Sequence, residues 1–135
     1  MPEGVGYSSN NVVAGTGLEL NIVNKFAYGY SGQIDLDNTT QTLLSFQTGN
    51  YTFVGQWQMV FDKTAFASGE SIGYTVKLNN IAVARLELEA AATTSEAVQQ
   101  PVSLIIPPYT TVTITGDTDG GSIVVTGLIT GRIYT

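Results

Sequence analysis

Two aspartate pairs are the residues best spaced for chemistry. Asp35 and Asp37 stand two apart in Ile34-Asp-Leu-Asp37. On a strand that spacing projects both carboxylates from one face, and paired carboxylates can divide acid and base work on a glycosidic bond. Their surroundings give no sign of burial, so a solvated face is the plainer expectation. Asp117-Thr-Asp119-Gly120 looks like the start of a calcium loop. The further oxygen ligands and the closing glutamate are missing, which favours a polar turn over a weak calcium site. Trp57 and the tyrosines have the flat rings that stack on sugars. Trp57 stands on the apolar side of a strand, where core packing is the stronger expectation. Tyr28 and Tyr30, or Tyr109, are the rings that would form a platform if exposed. Asn38-Thr-Thr and Asn50-Tyr-Thr match the glycosylation acceptor, which matters only in a secreted chain.

The other reactive constellations are missing. The chain has no histidine and no cysteine, which removes the commonest general base and the commonest metal ligand together. A Ser-His pair is impossible, and no Walker or dinucleotide glycine pattern occurs. The expectation is a protein that is not an enzyme, with no catalytic residues, no cofactor-binding residues, no metal ligands and no cofactor. A net charge of −6 with only five Lys and Arg gives little to neutralise phosphates or an anionic bilayer, so neither nucleic acid nor membrane is an expected partner. Met1-Pro2-Glu3 opens no signal-peptide pattern, and synthesis in a cytoplasm is expected.

The elements that would position these residues are strands. The 135 residues suffice for one domain with a core. Charged residues are 12% of the chain, against roughly 25% in an ordinary soluble domain, so the surface must be rich in Thr, Ser, Asn, Gln and Gly. Residues 1–17, with four glycines and the run Ser8-Ser-Asn-Asn11, read as an extended N-terminal arm. Its spaced valines give it something to bury on a neighbouring subunit. Residues 18–135 read as a single β-sandwich domain.

Within that domain, period two dominates. Leu18, Leu20 and Ile22 alternate with polar residues; Phe26, Tyr28 and Tyr30 follow, and could extend that strand past a bulge. Ile34 and Leu36 are expected to face inward. Tyr51, Phe53, Trp57, Met59 and Phe61 share one face, with Gly55 marking a bulge or a close backbone approach. Tyr74–Leu78 and Ile81–Arg85 flank Asn79-Asn80, a pair suited to a tight type I′ hairpin that sets Leu78 opposite Ile81 and Val76 opposite Val83. Beyond Val83 the apolar set shifts to Leu86 and Leu88, so either a bulge near Ala84 flips the face or both faces are partly covered. Thr93 with Glu96 fits a capping box over one or two helical turns. Val102, Leu104 and Ile106 lead to Pro107-Pro108, where a central ladder must end, bend or lie on an edge. Val112 and Ile114 form the next strand, and Ser122–Thr126 and Gly127–Tyr134 close the chain. Eight or nine strands at short spacing mean an all-β, antiparallel sandwich or barrel.

The run SLIIPPYTTVTIT at 103–115, the closing TGRIYT, TLLSFQTGNYTFVGQWQ at 42–58 and the hairpin KLNNIAVA at 77–84 resemble the small jelly-roll capsid decoration, or cement, proteins of tailed bacteriophages. The resemblance covers residues 18–135 loosely. It implies an antiparallel jelly roll of about eight strands and a virion structural role on the outer capsid surface. It also implies a homotrimer, with the major capsid protein as partner and no catalytic residues. A receptor- or glycan-binding domain of a phage head or tail fibre is the alternative.

Overall fold

The computed structural model describes residues 19–61, 70–89, 101–119 and 123–135. The arm expected over residues 1–17 and the helical turn at Thr93 and Glu96 lie outside the described residues.

Among the described residues ten strands are formed: β1 (Asn21–Val23), β2 (Phe26–Tyr30), β3 (Ile34–Asp35), β4 (Thr40–Gln47), β5 (Thr52–Phe61), β6 (Ser71–Leu78), β7 (Ile81–Glu89), β8 (Val102–Ile106), β9 (Thr111–Thr118) and β10 (Val124–Tyr134). One sheet runs β1-β2-β10-β5-β8, with β3 also on β10; the other runs β4-β9-β6-β7. All pairings are antiparallel. The pairs nest. β6 pairs β7, β5 pairs β8 outside them, β4 pairs β9 outside those, and β2 with β3 pairs β10 outermost. A long hairpin of nested pairs, wrapped so that β10 also meets β5 and β9 also meets β6, is the jelly roll.

The core lies between the sheets. Phe53, Trp57, Met59 and Phe61 on β5, Ile72, Tyr74 and Val76 on β6, Leu104 and Ile106 on β8, and Val112 and Ile114 on β9 are all buried. Each set follows the period-two expectation, and Ile34 and Leu36 are inward as expected. β8 and β9 belong to different sheets, so Pro107-Pro108 marks the crossing from one layer to the other. Neither pyrrolidine interrupts a ladder there.

Several expectations are corrected. Phe26, Tyr28 and Tyr30 do not prolong the preceding strand; Asn24, at φ 59°, turns the chain so that β1 folds back on β2. The chain between β2 and β3 kinks through Ser31 and Gly32. Gly127 N–H donates to Ser31 Oγ at 2.7 Å, and Ser31 N–H donates to the Gly127 carbonyl at 2.9 Å. Ser122–Thr126 and Gly127–Tyr134 are not two segments, since β10 runs unbroken through Gly127. At the Asn79-Asn80 turn both residues have positive φ and Leu78 pairs with Ile81, as expected. Val76, however, pairs with Ala84, and Val83 is left over as a bulge. Val83 is therefore exposed, and Ala84, Leu86 and Leu88 take the inner face. A second bulge in β4 lies between Thr42 and Leu44, and it explains how the consecutive Leu43 and Leu44 are both fully buried.

Gly127 faces inward on β10 beneath the indole of Trp57. A Cβ there would stand 2.2 Å from Trp57 Cη2. The glycine is thus the socket for the largest core side chain. Gly55 and Gly131 are direct partners on β5 and β10, and a Cβ on either would strike the facing backbone. This is the close approach expected of Gly55.

Candidate functional site

The two aspartate pairs do not form sites. Asp35 ends β3, whereas Asp37 lies in the turn after it with φ 39°. The pair is therefore not carried on one strand, and both residues are exposed. Asp117 points from the outer face of β9 and is held by Arg85, whose two nitrogens reach its oxygens at 2.7 and 3.1 Å. Arg85 spans β6 on the way, donating to Thr75 Oγ1. Asp119 turns instead to Ser71, whose N–H donates to Oδ1 at 2.6 Å. Each carboxylate serves a separate structural contact, and no group of three or more His, Cys, Asp or Glu that could hold a metal exists among the described residues. No helix of the described residues is long and apolar enough to cross a membrane.

The Ser71 backbone hydrogen bond, aided by the Ser71 hydroxyl, pulls the Asp119 carboxyl below its ordinary value. A depressed folded-state pKa means that its stabilising contribution is present above the unfolded pKa. It is lost as pH falls through the folded one. Acid titration of stability should therefore show a weakening below the ordinary aspartate range that Asp119→Asn removes, followed by circular dichroism at fixed denaturant.

Trp57 is fully buried, with its ring edge-on to Tyr74 at 5.8 Å, and cannot meet a sugar. Asn38, at φ 58°, and Asn50 are exposed in turns. Tyr109 is 67% exposed in the β8–β9 loop, at φ 56°, with its N–H bonded to the Gly49 carbonyl at 2.9 Å.

Tyr28 and Tyr30 are the expected residues that the structure brings into company. Alternation on β2 turns Ala27 and Gly29 inward and sets Phe26, Tyr28 and Tyr30 outward. The ladder registers then compose rows across the outer face of that sheet. Val23, Phe26, Arg132, Val54 and Ile105 lie side by side from β1 to β8. Asn21, Tyr28, Thr130, Gln56 and Ser103 form the next row, and Tyr30, Leu128 and Gln58 the one after. The first row is apolar and exposed except for one guanidinium in its middle. The second is polar with one aromatic ring. Arg132 lies 5.5 Å from the Phe26 ring centre and 5.8 Å from that of Tyr134, both in cation–π range. Tyr28 and Tyr30 are 5.5 Å apart, tilted at 55°. Together these residues line a shallow, open groove of about 660 Å³. The sequence reading missed Arg132 as a member of this face, since nothing local links residue 132 to the alternation of Phe26, Tyr28 and Tyr30.

No family model matches the chain, and no curated protein matches it. Solved structures do match. The infectious bursal disease virus VP2 subviral particle is 16% identical with a TM-score of 0.43, over 85% of this chain and 39% of that one. The infectious bursal disease virus Gx strain is 16% identical at 0.43, over 82% and 37%. The Gt strain is 16% identical at 0.41, over 85% and 39%. The chain spans about two-fifths of the length of these structures. The jelly-roll topology above stands on the strand pairings alone.

Proposed function

We propose that the chain is a virion structural protein, a decoration or cement subunit that binds the outer surface of a capsid by non-covalent contacts as a homotrimer, and that it is not an enzyme. The observation that supports this most is the surface of the jelly roll. Among the described residues, Ile81 and Val83 beside the β6–β7 turn, Ile105 on β8 and Tyr109 in the β8–β9 loop are between 51% and 69% exposed. Apolar side chains this exposed, on a body with so few charges, suit burial against sister subunits and a shell. A closed three-fold arrangement would satisfy them without leaving an open, polymerising contact. Three weak contacts to the shell would act as one strong one. The bacteriophage assignment rests on the sequence resemblance.

Light scattering coupled to sizing should give three times the monomer mass, and the protein should co-sediment with its particles and leave them as Ile81→Lys and Val83→Lys are introduced. A monomer at every concentration, with no particle association, would remove the reading.

A further inference from the structure

We propose that the outer face of the β2-β10-β5 sheet is a binding site for a carboxylate-bearing saccharide. Arg132 would take the carboxylate, and Phe26, Tyr28, Tyr30 and Tyr134 would supply stacking faces. The inference does not depend on the particle role.

Charge is the first argument. The chain holds more than twice as many acidic residues as basic ones, yet Arg132 has no carboxylate partner among the described residues. Its same-face neighbours in the ladder are Phe26 and Val54 beside it, Thr130 and Tyr134 along the strand, and Tyr28, Gln56 and Thr52 on the diagonals. All are neutral. By contrast Arg85, the other arginine, is engaged by Asp117 and lies 3.9 Å from Glu87. Arg132 is held from two sides by rings rather than by an acid, which orients the guanidinium and leaves its hydrogen-bonding edge for an incoming anion.

The second argument is the alternation of rows. A sugar presents C–H faces and hydroxyls together. The groove offers rings beside the Thr130 hydroxyl, with Gln56 next to Thr130 in the same row. The third argument separates a saccharide from an acidic peptide. An extended peptide gains most from unpaired backbone at a sheet edge. Here β10 is paired on both sides, to β2 and to β5, so only side chains are available, which is how a sugar is held.

The test titrates the full chain with 3′-sialyllactose and with a glucuronate disaccharide, against lactose and a short glutamate-rich peptide, following backbone amide shifts by NMR. The expected result is saturable shifts on β2 and β10 with an acidic sugar at millimolar concentration and none with lactose. Loss of the charged hydrogen bond in Arg132→Gln should weaken binding by at least about tenfold. Tyr134→Ala, at an exposed position, should weaken it with no change in melting temperature. No shifts with either acidic sugar, equal shifts with lactose, or binding unaffected by Arg132→Gln would overturn the proposal. So would the peptide binding as tightly as the sugar, or concentration-dependent shifts of the same amides without ligand, which would make the face a protein contact.

Discussion

Gly127→Ala should destabilise the protein by about 3 kcal/mol, the upper end of what overpacking a core usually costs. A smaller effect of opposite sign competes with it. Replacing a strand glycine whose backbone an alanine can adopt ordinarily stabilises by about 0.4–1 kcal/mol, because the unfolded chain loses freedom. Gly127 does not have a positive φ, so the backbone permits alanine. The space does not: the new methyl would stand 2.2 Å from Cη2 and 2.7 Å from Cζ3 of Trp57. Trp57 is fully buried against Tyr74 and has no solvent to retreat into. The steric term therefore wins. A double-mutant cycle checks this cause: Trp57→Phe removes the atoms that clash, so Gly127→Ala should cost at least about 1 kcal/mol less in that background. Urea unfolding of the four proteins gives the answer. Equal costs in both backgrounds would place the strain elsewhere.

The same pair shows what could be read in advance. Trp57 was legible as a core residue because its neighbours on β5 alternate, and alternation is a local property of a strand. Its socket was not, because Gly127 lies seventy residues further on and nothing between them announces the register. The nested pairing has the same character. Ser31 meets Gly127 across 96 positions and Thr48 meets Thr110 across 62, and such contacts exist only after the hairpin has wrapped. The Asn79-Asn80 turn was readable from its own chemistry. Asn24-Lys25, flanked by Val23 and Phe26, carries part of that signal, and the positive φ of Asn24 turns the chain into the β1–β2 hairpin where a continued strand past a bulge had been expected. The bulge at Val83 was legible as one of two alternatives, because the apolar set shifts to Leu86 and Leu88 after it, whereas the bulge at Leu43 was harder, since the run Leu43-Leu44 carries no such shift.

The candidate face divides in the same way. Tyr28 and Tyr30 could be named as a platform because they are two apart and point together. Arg132 was only one member of a closing phrase, and its neutral, aromatic surroundings come from β2 and β5 in register with its own strand. The aspartates misled for the converse reason. Spacing of two implies a shared face only where the chain stays extended, and Asp37 has left the strand.

Thr48→Val should cost roughly 2–3 kcal/mol, although valine is the more apolar side chain and Thr48 is 2% exposed. Thr48 ends the segment after β4 and ties it to the crossing between β8 and β9. Its hydroxyl donates to the Pro107 carbonyl at 2.8 Å and accepts the Thr110 N–H at 2.8 Å, while its own N–H donates to the Thr110 carbonyl at 3.0 Å. Prolines 107 and 108 have no N–H to give, so the crossing depends on a side chain to hold it. Valine preserves the shape and removes the hydroxyl, leaving the buried Thr110 N–H without a partner, a loss of about 1–3 kcal/mol by itself. The Pro107 carbonyl is only partly buried and can turn to water, so it adds less. Serine keeps both hydrogen bonds and gives up one methyl, about 0.8 kcal/mol. The expected order of stability is wild type, then Thr48→Ser, then Thr48→Val, the reverse of what burial alone would rank for valine and serine. Hydrogen exchange at the Thr110 amide should quicken in the valine variant while amides of the distant β6–β7 pairing keep their rates relative to global unfolding. If valine proved as stable as threonine, the clamp would have no part in holding the two sheets together at this end.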